Sequence, residues 1–250
     1  MHLSVLESLS VAMFARNLPS TVESPAMPRK DITTARAIAR IEKAGALLVF
    51  PIKDKPRLPS IWSSFYPDEE MDWDWSDEGD NRVATLWHLR TELSISREVV
   101  YSKWFRNRAT CFSRALFTAL LSLVSTKLSN DLKLSEEAER ILGVLHEDSP
   151  LPTKELKARS ELSGGENNAA FERAMKQLWS RFLIVGYGEV EEGGYPSLAV
   201  GSAKLLFEDE WDASREISDS ERRKTLAQFY PPHSEFYRQY LKVEQALLRD

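Results

Sequence analysis

Between residues 81 and 114 stand Arg82, Arg90, Arg97, Lys103, Arg106, Arg108 and Arg114, opposed only by Glu92 and Glu98, with Tyr101, Trp104 and Phe105 set among them. Cationic side chains interleaved with rings are what a surface needs to track phosphates and stack on bases. The candidate nucleic-acid contacts of this segment are Arg97, Tyr101, Lys103, Trp104, Arg106, Arg108 and Arg114. A second set comes from residues 162–194, LSGGENNAAFERAMKQLWSRFLIVGYGEVEEGG. On a helical wheel Phe171, Ala174, Met175, Leu178 and Phe182 cluster, while Glu166, Arg173, Lys176 and Ser180 point away, flanked by Gln177. If that helix meets DNA, Arg173, Lys176 and Gln177 make the contact, with Lys154 and Lys157 on the preceding helix.

The charge balance opposes this chemistry. The 250 residues carry a net charge of −5. Residues 134–200 hold seven Lys or Arg against twelve Asp or Glu, and the hairpin after the helix carries Glu189, Glu191 and Glu192. An acidic hairpin beside a duplex repels it unless cations elsewhere dominate. Residues 66–80, YPDEEMDWDWSDEGD, contain eight acidic side chains and no basic one, and read as a loop. Two readings of the basic segment are therefore open. Its arginines either line an exposed strip, or pair with this loop while the aromatic residues fill the core.

Other chemistry is excluded by type and spacing. His2, His88, His146 and His233 are far apart, and none has metal-ligand spacing to Cys or another His. No glycine-rich phosphate loop or nucleophile elbow is present, so neither metal nor cofactor is expected. The single cysteine, Cys111, cannot form an internal disulfide and reads as a buried apolar side chain in a reducing cytoplasm. Trp62, Trp73, Trp75, Trp87 and Trp104 have the surface to stack on a flipped base, although core packing is the commoner use of Trp. A hydrophobic content of 42% suffices for real cores, and no apolar run approaches the roughly 20 residues that cross a bilayer.

The elements that would position these groups follow from local signals. Residues 1–30 lack a basic start before the apolar run, which Glu7 interrupts, and end in a Pro- and Ser-rich stretch. They read as a flexible extension without an export signal, and Met27 reads as the natural start. From Asp31 a helix with Ala35, Ile38 and Ile41 on one face runs to Gly45, followed by a buried strand in ALLVFPI. ATCFSRALFTALLSLVSTKL reads as a central packing helix with Phe112, Leu116, Ala119, Leu120 and Leu123 as its stripe. A boundary falls near residue 130.

Beyond it, Ser135 caps a first helix that buries Ala138, Ile141, Leu142 and Leu145, and Thr153 caps a second. Ser163 and Glu166 match a capping box for the third, and FLIVGYGEV, EEGGYP and SLAV make a hairpin. The expected fold is mainly α with short β-hairpins, a tandem winged-helix (helix-turn-helix plus wing) architecture. Its parts are an extension (1–30), a winged-helix-like domain with the acidic loop and basic segment (31–130), a winged helix-turn-helix domain (131–206) and a helical arm (207–250). The arm splits at Pro231-Pro232 and packs back through Phe236, Tyr240 and Val243. It is a lid, a clasp or a dimer arm.

The segments AGALLVFPI, RLPSIW, WDWSD, VVYSKWFRNRATCFSRALFTAL, LSEEAERIL and LSGGENNAAFERAMKQLW resemble the AlkZ-related bacterial proteins, smaller relatives of the AlkZ winged-helix DNA glycosylases. The resemblance spans roughly residues 32–200 and implies tandem winged-helix elements and a DNA-repair ancestry. The glycosylases carry Gln-x-Gln or Gln-x-Asp after a Gly-Leu-Leu turn, to position the attacking water. The matching positions here are Val49 and Pro51, around Phe50, and neither side chain can hydrogen-bond a water. Asp74 or Asp77 of the acidic loop is the substitute acid to consider.

The leading expectation is a cytoplasmic nucleic-acid-binding protein without that catalytic pair and with DNA as partner. The alternatives are a divergent glycosylase acting on alkylated or crosslinked DNA, and a non-catalytic protein-interaction module, as a homodimer or with another protein.

Overall fold

Thr33 and Gly45 delimit the first helix, α1 (Thr34–Ala44), in the computed structural model, which describes residues 32–53, 55, 58–72, 81–125, 132–192 and 195–249. The Thr33 hydroxyl accepts from the Arg36 N–H, and Gly45, at φ 78°, donates its N–H to the Ile41 carbonyl. Only glycine takes that φ without strain. The face turned inward is Ala37 and Ile41, whereas Ala35, predicted to be inside, is exposed and Ile38 half-buried. Both faces have helical spacing, and packing against the sheet selects between them.

The predicted strand is short, β1 (Ala46–Leu48), and has left the sheet before Pro51. Next come α2 (Ile61–Phe65), α3 (Asn81–Ser96), β2 (Val99–Ser102), β3 (Thr110–Ser113) and α4 (Arg114–Ser125). Every residue of α4 from Ala119 to Ser125 is buried, as a central packing helix requires. The predicted stripe is buried too, but Phe112 belongs to β3.

After residue 131 the order is α5 (Glu136–Glu147), β4 (Leu151–Pro152), α6 (Thr153–Arg159), a 3-10 turn (Gly165–Asn167), α7 (Asn168–Ser180), β5 (Ile184–Glu192) and β6 (Tyr195–Ser202). Ser135 caps α5 by accepting from the Ala138 N–H. Ala138, Ile141, Leu142 and Leu145 are buried on that helix. Two expected caps are replaced. Thr153 is the first residue of α6 and its hydroxyl donates to the Leu198 carbonyl at 2.6 Å, tying the helix to β6. The Ser163–Glu166 capping box does not form, because Gly164 turns the chain at φ 97° and a 3-10 turn precedes α7. Instead the Asn167 side chain donates to the Ser163 carbonyl at 2.8 Å.

The described residues are mainly helical, around one antiparallel sheet of six strands in the order β1-β3-β2-β5-β6-β4. The sheet continues across residue 131, because β2 pairs with β5 at Tyr101↔Gly186. The Tyr101 ring lies where a Cβ on Gly186 would be, so only glycine permits this approach. Gly188, at φ 74°, lies within the register shift that follows, and its N–H donates to Ser94 Oγ of α3 at 2.8 Å.

Strand alternation divides the core in two. Ala46, Leu48, Val100 and Phe112 enter one cluster with α4, α5 and α7, while Leu47, Val99, Tyr101 and Cys111 enter the other with α1, α2 and α3. Burial pushes the Cys111 thiol up to about 12, against a smaller lowering by the Arg90 guanidinium. Cys111 is therefore expected to be inert to a thiolate-selective reagent at pH 8 in the folded protein and to react on unfolding; fast reaction without denaturant contradicts its placement.

The chain ends in α8 (Ala203–Leu206), α9 (Glu208–Glu216), α10 (Asp219–Phe229) and α11 (Glu235–Arg249). As predicted, the last two flank Pro231-Pro232, and Phe236, Tyr240 and Val243 are buried. Tyr230 donates its hydroxyl to the Ala46 carbonyl at 3.1 Å, and Arg222 donates to Ser122 Oγ at 3.2 Å, so this arm closes over the first half of the chain. Among the described residues no helix is long and apolar enough to cross a membrane.

Candidate nucleic-acid interface

The hairpin β2–β3 and its flanking helices carry the basic segment, and the structure spreads its charges over several partners. Arg90 of α3 pairs with Glu189 of β5, Arg106 lies 2.7 Å from Glu235 of α11, and Arg114 of α4 pairs with Glu210 of α9. A carboxylate of the acidic loop also takes part, Glu69 pairing with Arg82. Arg97 lies over the Tyr187 ring at 5.3 Å. Lys103 is half-buried and Arg108 exposed. Among the described residues Arg97, Lys103 and Arg108 form no ion pair.

The rings of this segment are not available for stacking, Phe105 being fully buried. Tyr101 and Trp104 are 1% and 3% exposed. Trp104 stacks on Phe182 at 5.4 Å, and Tyr101 fills the space above Gly186. Both side chains are core. Tyr101 lies on β2, an inner strand buried on both faces, and Trp104 in the turn that follows it.

The polar face of α7 offers a different arrangement. Arg173, Lys176, Gln177, Ala170 and Ser180 of α7, with Ser135 and Glu137 at the start of α5, line an open cleft of about 430 Å³. Arg173 and Lys176 are exposed, and no ion pair among the described residues holds either. Gln177 does another job. Its Oε1 accepts from the Ser135 N–H at 3.1 Å and its Nε2 donates to the Lys133 carbonyl at 3.4 Å. Arg181 donates to the same carbonyl at 2.5 Å, so the two side chains dock α5 against α7.

Glu137 is the acidic member of the cleft. Its carboxyl is held below the usual range first by its own backbone N–H and the Ser135 hydroxyl, with Arg140 and Arg173 adding to the effect. On α6, Lys154 is exposed, whereas Lys157 donates to Asn168 Oδ1 at 2.5 Å and lies over the Phe171 ring. Lys157 thus braces the start of α7.

The hairpin β5–β6 is docked along its inner edge. Glu189 is held by Arg90 and Thr91, and Gly188 by Ser94, all on α3. Its acidic character there is neutralised inside the molecule. Val49 and Pro51 stand at the positions of the polar pair in the glycosylase pattern, around Phe50, and Pro51 is half-buried. Val49 is fully buried, and Phe50 lies against Trp87 with ring centres 6.4 Å apart. Asp74 and Asp77 lie outside the described residues.

Sequence reading missed the partners of the basic segment. Glu189 and Glu210 lie 99 and 96 residues from the arginines they hold, and no local pattern marks such pairs. A family model described as AlkZ related matches residues 32–235. No curated protein and no solved structure matches the chain.

Proposed function

The chain belongs to the AlkZ-related family, and from that premise we propose that it binds nucleic acid through the polar face of α7 and has lost the base excision of the AlkZ glycosylases. One observation carries the reading: Arg173 and Lys176 stand side by side in an open cleft, exposed and held by no described carboxylate. In this reading α5, α6 and α7 with the β5–β6 hairpin form a winged helix-turn-helix, and residues 31–130 form a second unit fused to it through the shared sheet. Residues 207–250 are the arm. The wing is bound to α3, so the helix rather than the wing meets the polyanion. Lys154 flanks the contact from α6.

A binding titration with a short labelled duplex tests this. The double charge reversal Arg173→Glu/Lys176→Glu is expected to weaken affinity by about tenfold or more, because two phosphate contacts become repulsive. Both side chains are exposed, so the fold should survive. Equal affinity for wild type and variant would remove the α7 site. The absence of excision has its own test: with alkylated duplex, bound protein is expected to release no free base, since Val49 and Pro51 offer no side chain to hold a water. Enzymatic base release would restore the glycosylase reading.

A further inference from the structure

The turn after β1 and the turn joining β2 to β3 lie side by side because β1 and β3 are paired. Leu48 is opposite Thr110, and just beyond, the Val49 N–H donates to the Ala109 carbonyl at 2.9 Å. Lys53 and Lys55 of the first turn therefore stand at the same end of the sheet as Lys103, Arg106 and Arg108 of the second, and Glu235 links Lys55 to Arg106. The second turn is fixed in place. Arg106 and Asn107 have φ 52° and 56°, and the buried Phe105 ring stacks on Phe236 of α11 at 4.2 Å. Arg238, one turn into α11, adds a further cation.

Glu235 is the carboxylate at the centre of these groups. Its Oε1 accepts from Lys55 Nζ at 2.5 Å, and its Oε2 lies 2.7 Å from Arg106. The Lys55 hydrogen bond first, then Arg106 and Arg238, hold its carboxyl below the usual range. No other ion pair among the described residues engages Lys53, Lys55, Lys103, Arg106, Arg108 or Arg238. Lys55 and Arg106 keep 35% and 41% of their side chains in water while paired. Such half-exposed pairs are weak and exchange readily for another anion.

We propose that these two turns form a second phosphate-backbone contact for nucleic acid, and that Glu235 is its built-in competitor, occupying Lys55 and Arg106 until phosphates displace it. The inference rests on the nucleic-acid reading above but uses different residues, so the two can fail separately. Two or more phosphates on this face would add to the salt dependence of binding by about one unit of slope each.

The test is a duplex titration at several salt concentrations with three variants beside Arg173→Glu/Lys176→Glu. Glu235→Gln is expected to bind about threefold to tenfold tighter than Glu216→Gln, which makes the same charge change on an exposed residue of α9, and to show a steeper salt slope. Lys53→Glu/Arg108→Glu, at two exposed side chains, is expected to weaken binding about tenfold. Far-ultraviolet circular dichroism checks that each variant is folded. Glu235→Gln binding no tighter than Glu216→Gln, or Lys53→Glu/Arg108→Glu binding like wild type, overturns the surface. If only Arg173→Glu/Lys176→Glu weakens binding, the α7 reading stands alone. If wild type binds no duplex, both fall.

Discussion

Phe182→Ala is expected to lower the free energy of unfolding by about 3–5 kcal/mol, the range for deleting a buried aromatic ring. Phe182 is 1% exposed and stands just past the end of α7 at φ 53°. Its ring stacks on Trp104 at 5.4 Å and meets Phe112 and Phe117 edge-on at 5.1 and 5.4 Å. Those three rings belong to the β2–β3 turn, β3 and α4, all before residue 131. Removing the ring therefore opens a cavity where the two halves of the chain meet. The neighbours are held by the turn, by strand pairing and by α4 respectively, and cannot collapse into it. Urea unfolding followed by circular dichroism measures the loss. By comparison Leu248→Ala, at a side chain 74% exposed, should stay within about 0.5 kcal/mol of wild type. A Phe182→Ala cost as small as that would mean the halves are held elsewhere.

Arg90 and Glu189 supply the second large effect. The side chains are 9% and 13% exposed, and the Arg90 guanidinium also lies over the Trp87 ring at 4.0 Å. Breaking a buried pair leaves the other charge desolvated without a partner. Either Arg90→Ala or Glu189→Ala is thus expected to cost about 3–5 kcal/mol. Replacing both by apolar residues of similar volume, Arg90→Met with Glu189→Leu, should be close to neutral, because no uncompensated charge remains. The pattern of costly single variants and a mild double variant is diagnostic. Single losses of about 0–1 kcal/mol, as at surface pairs, would place these groups in water and release the hairpin from α3.

Local signals made much of this fold legible. The Ser135 cap and the Gly45 stop act within a few residues, and the helix ends they mark stand where those signals predict. The inward faces of α5 and α7 were equally plain, because a 3.6-residue period with large apolar side chains has one solution. On α1 the predicted face, Ala35, Ile38 and Ile41, and the observed one, Ala37 and Ile41, share Ile41, and only packing against the sheet could choose between Ala35 and Ala37. Thr153 and Ser163 failed as caps because each side chain or backbone had a competing option, the Leu198 carbonyl for one and a glycine turn for the other.

The candidate site divides in the same way. Arg173 and Lys176 were legible from the polar face of one helix. Tyr101 and Trp104 were misread, since composition reports which side chains are near in sequence but not that the fold buries β2 on both faces and the turn after it. The sites of Arg90, Arg106 and Arg114 depended on Glu189, Glu235 and Glu210, brought by long-range topology that periodicity does not encode. The acidic loop next to the basic segment was the obvious partner in sequence. Of it, Glu69 pairs with Arg82, while carboxylates from the second half of the chain pair with Arg90, Arg106 and Arg114.

The most direct test of the account is the salt dependence of duplex binding by wild type and Arg173→Glu/Lys176→Glu. Wild-type affinity is expected to fall steeply between about 50 and 200 mM salt, with a slope of log affinity against log salt shallower by about two in the variant. Identical slopes for the two proteins, or wild-type binding indifferent to salt, would contradict a phosphate contact at the α7 cleft.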